Sequence, residues 1–146
     1  MKLAMKLVSD MGRPRFDAQK VMSRVWRANV RNLGRAAALV RTIARRSLRR
    51  SKRKSNPGEP PRVHSKHPYA TLKNIRFQVD GQLQAAIVGT VKFDAAAADS
   101  IPQTLEKGGT MKLPGKKQVV IQPRPFMGPA HEIAMKKYPQ FWKDSV

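Results

Sequence analysis

The chain is expected to adopt an α+β fold: a long N-terminal amphipathic basic helix packed on a small, mainly antiparallel sheet, with a short C-terminal helix. Three features carry that expectation. The stretch from Asp17 to about Arg50 keeps a helical period without a break. From Tyr69 onward apolar residues recur at every second position. Between the two lies a run rich in proline and positive charge that fits neither period.

Read at 100° per residue, Ala18, Met22, Val25, Asn29, Leu33, Ala36, Val40 and Ile43 share one face of the first stretch, and Lys20, Arg24, Arg27, Arg31, Arg35 and Arg49 the opposite one. Asp17 suits the N-cap, with a carboxylate at the positive end of the helix dipole, and the arginines from Arg45 to Arg50 suit the negative end. Gly34 costs about 1 kcal/mol against alanine in a helix interior and implies close packing or a mild bend. The apolar face must bury against something; the basic face must stay hydrated or meet an anion.

The flanking segments follow in order. Residues 1–16 form an N-terminal arm in which Leu3, Met5 and Leu7 alternate with Lys2, Ala4 and Lys6, as in a short strand, with helix as the alternative; Gly12 and Pro14 then lead into the helix. Residues 17–146 read as one domain. Its loop at 50–68 holds Pro57, Pro60, Pro61 and Pro68 and reads as extended and mobile. Ile75, Phe77 and Val79 alternate with Asn74, Arg76 and Gln78, and Asp80-Gly81 is a hairpin signal, so Tyr69 to Val91 reads as a β-hairpin whose second strand starts at Gln82. Ala95 to Lys107 reads as a short helix or turn closed by Gly108-Gly109, with Pro102 placing a helix start near Ile101. Lys117 to Gln122 makes a third strand, Pro129 opens a helix from about Ala130 to Lys137, and the tail at 138–146 carries Tyr138, Phe141 and Trp142 as apolar anchors. An open sheet of three or four short strands has exposed edges, which favours a homo-oligomer.

Composition narrows the function classes. The net charge is +21, and residues 1–67 hold 19 Lys or Arg against only Asp10, Asp17 and Glu59, so the first half carries the field. Such a field attracts polyanions: nucleic acid, an anionic surface or an acidic protein. With no cysteine, disulfides and Cys-based zinc sites are excluded. No apolar run nears the ~18 residues of a membrane span, and MKLAMKLV is too short and lysine-interrupted for a signal peptide, so a soluble protein made in the cytosol, without a membrane partner, is expected.

The inventory for catalysis is thin. His64 and His67 sit on the basic loop and His131 lies far along the chain; Asp80, Asp94, Asp99, Glu106, Glu132 and Asp144 are scattered. No spacing suggests a metal site or a general acid–base pair, and no nucleophile elbow, phosphate loop or dinucleotide fingerprint occurs. The chain is expected to be no enzyme and to need no cofactor. The basic residues remain: Arg45, Arg46, Arg49, Arg50, Lys52, Arg53 and Lys54 crowd ten positions, a density that meets phosphates with steep salt dependence. Phe16 and Trp26 are the aromatic residues of that half, so contacts to nucleic acid are expected to be to the backbone and non-specific.

Three segments, in this order, resemble the family of small tailed-bacteriophage proteins of the head-to-tail junction, the tail-completion or neck proteins. They are the arginine-rich helix end with PGEPPRVHSKHPYATLKNIRFQV, then AIVGTVKF with QTLEKGGT, and IQPRPFMGPAHEIAMKKY, together covering about Arg45 to Tyr138. Lys107 stands where the family commonly has an aromatic residue, and one extra glycine precedes Thr110. The resemblance implies a virion structural protein, assembled in the host cytoplasm, that forms a hexameric ring between the head connector or adaptor and the tail tube or terminator, with genome DNA passing along its axis. It implies that Lys20, Arg24, Arg27, Arg31, Arg35, Arg45, Arg46, Arg49, Arg50, Lys52, Arg53 and Lys54 meet that DNA or an acidic ring partner. It also implies that Pro57, Gly58, Pro60, Pro61, Glu106, Gly108, Arg124, Pro125, Phe126, Phe141 and Trp142 serve subunit contacts or ring docking. The rival class is a non-specific basic nucleic-acid-binding protein; a hydrolase or nuclease stands well behind.

Overall fold

The structure is a computed structural model that describes residues 17–64, 72–91, 100–112, 118–143 and 145. The expected arm at 1–16, the ends of the hairpin and short helix at Tyr69 and Ala95, and His67 lie outside the described residues. The fold is α+β: a long helix, two antiparallel hairpins and short helices towards the C-terminus.

Helix α1 spans Ala18–Ser47. The Asp17 carboxylate accepts the backbone N–H of Lys20 at 3.0 Å, the N-cap expected from its position. Its buried residues are Ala28, Asn32, Ala36, Ala37, Val40 and Ala44, with Leu48 fully buried just beyond the helix. The expected apolar stripe is therefore correct only in its C-terminal part. Met22 is 67% exposed and Val25 39%, because the elements that pack on α1 cover it chiefly from Ala28 onward.

Strands β1 (Ile75–Asp80) and β2 (Ala85–Thr90) pair antiparallel, with Ile75 opposite Thr90 and Asp80 opposite Ala85. Ile75 is buried; Phe77 and Val79 share its face of the strand. Gly34 of α1 lies against Val79, where a Cβ would meet Val79 Cγ2 at an ordinary 3.8 Å, so the expected close approach is present and mild. The turn differs from expectation. Four residues, Gly81 to Gln84, connect the strands, because the Asp80 side chain accepts the N–H groups of Gln82 and Leu83 at 2.8 and 3.0 Å and prolongs the turn, leaving Ala85 to open the second strand. The Arg41 guanidinium donates to the Ile75 carbonyl at 2.7 Å and ties the start of β1 to the helix.

Of the loop expected at 50–68, residues 65–68 lie outside the described residues; from Arg50 to His64 the chain is anchored rather than extended. Arg50 and Val63 form a parallel bridge, the Val63 N–H donates to the Arg49 carbonyl at 3.0 Å, and Ser55, Pro61 and Val63 are buried. Val63 supplies the apolar anchor that a reading of the prolines and charges alone overlooks.

Helix α2 (Ser100–Lys107) ends as expected at Gly108, whose φ of 76° lets its N–H bond back to the Thr104 carbonyl at 2.8 Å. The chain then forms β3 (Gly109–Lys112), a strand absent from the sequence reading, which pairs antiparallel with β4 (Gln118–Ile121). Among the described residues the two hairpins make two separate two-stranded sheets, not one sheet of three or four strands. Helix α3 (Met127–Met135) begins three residues before the expected Ala130, with Pro129 in its first turn, and the tail continues as the short helix α4 (Tyr138–Trp142).

The core joins these pieces. Val40, Ala44 and Leu48 pack with Val63, Ile75, Phe126, Ala130 and Ala134. Facing alanines on α1 and α3 let the two helices approach closely, and Phe126 fills the space where the chain enters α3.

Candidate functional site: a cationic ridge and a motif node

Two features of the fold concern function. The first is a ridge on α1. Lys20, Arg24, Arg27, Arg31 and Arg35 recur at helical spacing on the side away from the buried alanines, and all five are exposed. Arg45 continues the line, so the ridge runs about 37 Å at 1.5 Å per residue. From Ala18 to Leu48 the chain has no Asp or Glu. Among the described residues the ion pair found is Arg62 to Glu59, at 4.0 Å, so the ridge charges face water without internal compensation. Arg46, Ser47 and Arg49 at the helix end, with Glu59, Pro60 and Arg62 of the returning loop, line a hollow of about 390 Å³. Arg50, Lys52, Arg53 and Lys54 are exposed on the loop that follows. Of the sequence-derived cationic residues, the helix thus aligns six, Arg46 stands in its last turn, and Arg49, Arg50, Lys52, Arg53 and Lys54 lie on the segment that follows.

The second feature is a node where the proline-rich loop, the LEKGG segment and the QPRPFMGP segment meet. The Glu106 carboxylate accepts three successive backbone N–H groups at the start of α3: Phe126 and Met127 on Oε2 at 3.0 and 3.1 Å, and Gly128 on Oε1 at 2.6 Å. Helix α3 has no capping side chain of its own, so a residue of α2 supplies both the acceptors and the negative charge that its N-terminus favours. The Arg124 N–H donates to the Leu105 carbonyl at 2.6 Å and its guanidinium to the Ser55 carbonyl at 3.3 Å, while the Gly58 N–H donates to the Pro123 carbonyl at 2.9 Å. Gly108 completes the node. A Cβ there would lie 3.2 Å from the Pro123 nitrogen and 3.3 Å from the Ile121 carbonyl oxygen.

This geometry revises several expected docking roles. Phe126 is 1% exposed and Pro61 is buried, so both are packing residues and unavailable as contacts to a neighbour. Glu106, Gly108 and Arg124 are engaged within the chain. Pro57 and Gly58 remain exposed, Pro60 and Pro125 are half-buried, and Phe141 and Trp142 lie on α4. The Trp142 indole donates to Asn29 Oδ1 of α1 at 2.9 Å, so this anchor folds back on its own chain.

Between α1, β2, α3 and α4 lies an apolar cavity of about 550 Å³ whose walls include Ala36, Ala37, Val88, His131 and Tyr138. The rings of His131 and Tyr138 meet edge to face with centroids 5.9 Å apart, and burial raises the Tyr138 pKa above its ordinary value. Among the described residues, no three His, Asp or Glu side chains gather as a metal site would require, and no helix is long and apolar enough to cross a membrane. No family model matches the chain, and no curated protein or solved structure matches it either.

Proposed function

We propose that this chain is a structural protein of a tailed-phage virion, a ring-forming component of the head-to-tail junction that joins the tail to the connector around the DNA path, and that it carries no catalytic activity. The observation that supports this most is the motif node. The three separated segments that resemble the junction family meet through Glu106, Gly58 and Arg124, as segments do when they serve one shared architecture. Both hairpins also keep outer strand edges unpaired among the described residues, which a neighbouring copy can extend. In this reading the ridge faces the passing DNA or an acidic neighbour.

A substitution series tests it. Replacing Arg24, Arg27, Arg31 and Arg35 together by Gln touches exposed side chains and is expected to leave the folded state intact while impairing the joining of tails to filled heads. Unchanged yields of joined, infectious particles contradict the proposed role of the ridge.

The uncompensated ridge also favours a second reading, a non-specific polyanion binder that forms no ring. Each phosphate neutralised releases counterions, so the quadruple variant is then expected to flatten the log–log salt dependence of duplex binding by about three to four. Binding by a monomer with that slope, and no assembly at any concentration, favours this reading over the first.

A further inference from the structure

Strand β4 has an edge that neither the ridge nor the node uses. Its hydrogen-bonded neighbour is β3, and among the described residues Gln118–Ile121 make no backbone bond on their other side. A cavity of about 350 Å³ touches Val119, Val120, Ile121 and Gln122 in succession. Successive side chains of a strand point to opposite faces, so a hollow that meets all four follows the free edge rather than either face. The row of N–H and C=O groups along it is open to a further strand.

The walls of the same cavity select the kind of strand. Leu72, Leu105 and Pro61 make it apolar, and Val119 and Val120 are 39% and 71% exposed, so apolar side chains of an added strand find cover. Lys54, Arg62 and Arg124 line it too, and among the described residues no Asp or Glu does. Arg124 is fixed there by its bonds to Leu105 and Ser55. Glu59, which pairs with Arg62 at 4.0 Å, lines the separate hollow at the end of α1, and Lys54 has no ion-pair partner among the described residues. Aliphatic walls give no platform for base stacking, and a strand edge matches the donor and acceptor spacing of a peptide, not of a phosphate chain. Two copies joined edge to edge at β4 would bring these cations together in a chain of net charge +21. We infer that the β4 edge takes up, by strand addition, an extended acidic segment of a partner protein, one that carries apolar side chains among its carboxylates. The inference does not rest on the junction reading; a protein that forms no ring has the same edge and the same cations beside it.

The probe is an end-labelled peptide of about eight residues in which Val and Glu alternate, titrated by fluorescence anisotropy with the full chain. Two further peptides carry backbone N-methyl groups, one on every Val and one on every Glu. Charge and side chains stay the same, but in an added strand the N–H groups of alternate residues point to the same edge, so one methylation pattern blocks the pairing and the other spares it. The expected result is saturable binding, weakened about tenfold or more by one pattern and little by the other, with slowed amide exchange in Gln118–Ile121. In about 0.15 M salt, where charges beyond about 8 Å are screened, Lys54→Glu is expected to weaken binding about tenfold and Lys20→Glu, the same charge change on the ridge, less than about twofold. Both side chains are exposed, so neither change disturbs the core. Equal binding of the two methylated peptides, equal losses from the two variants, or unchanged exchange in β4 overturns the inference. So do two other results: a doubling of the mass of the protein alone that the peptide reverses, which assigns the edge to a second copy, and full displacement of the peptide by duplex DNA in the variant lacking the four ridge arginines, which assigns it to nucleic acid.

Discussion

Glu106 caps a helix that begins at Met127, and three backbone N–H groups depend on its two oxygens. Removing them leaves those donors unmatched in a half-buried site, which costs about 1–3 kcal/mol. Glu106→Ala is therefore expected to lower the urea midpoint by a corresponding amount, with Glu106→Gln intermediate because one oxygen survives; an unchanged midpoint for the alanine variant contradicts the capping role. The two glycines with the clearest structural settings should move in opposite directions. At Gly108 the left-handed backbone and the nearby Pro123 nitrogen and Ile121 oxygen make Gly108→Ala destabilising by about 1–3 kcal/mol. At Gly34 the helical backbone has room for a methyl group against Val79, so Gly34→Ala is expected to raise stability by up to about 1 kcal/mol. Thermal melts of the pair check both signs.

At the scale of elements, what could be read from the sequence was local, and what could not depended on long-range pairing. Asp17, the alternation from Ile75 to Val79 and the Gly108-Gly109 stop are signals whose cause lies within a few residues, and each marks the element it was read for. The four-residue turn was missed because the Asp80 side chain, not the Asp-Gly pair alone, sets its length. Strand β3 was missed because Gly109 to Lys112 becomes a strand only through its pairing with β4. The described part of the loop, Arg50 to His64, differs for a related reason. Its composition suits an unfolded linker, but Val63 packs in the core, Pro61 is buried, and the Arg50–Val63 bridge fixes the return. Helix α4 carries its own expected outcome. Tyr138 has its pKa raised by burial, so the unfolded chain loses that phenolic proton at lower pH than the folded one. Its contribution to stability is fully present below the ordinary tyrosine value near 10 and fades as the pH climbs past it; Tyr138→Phe is expected to flatten that part of a stability-versus-pH curve.

At the scale of the whole molecule, the cationic ridge was legible because helical periodicity places side chains on a face from sequence alone, whatever the rest of the fold does. The apolar stripe was legible only in part. Period alone cannot say where the covering elements stop, and here they leave Met22, Val25 and Trp26 uncovered. The motif node could not be derived from spacing either, since Ser55, Glu106 and Phe126 are brought together by the tertiary fold, and several of its residues were expected to dock on neighbours instead. The fold therefore has two outward identities, a charged ridge and a set of open edges and apolar surfaces, and the junction reading needs both. The measurement that bears most directly on it is the absolute mass, by light scattering, of nucleic-acid-free protein in about 1 M salt, where exposed charges are screened within a few ångströms. A ring-forming junction protein is expected to give one discrete mass of six times the 16.4 kDa protomer, with rings visible by electron microscopy. A protein that stays at the protomer mass at every concentration, and on return to lower salt binds duplexes of any sequence with a steep salt slope, contradicts the ring and leaves a basic nucleic-acid binder in its place.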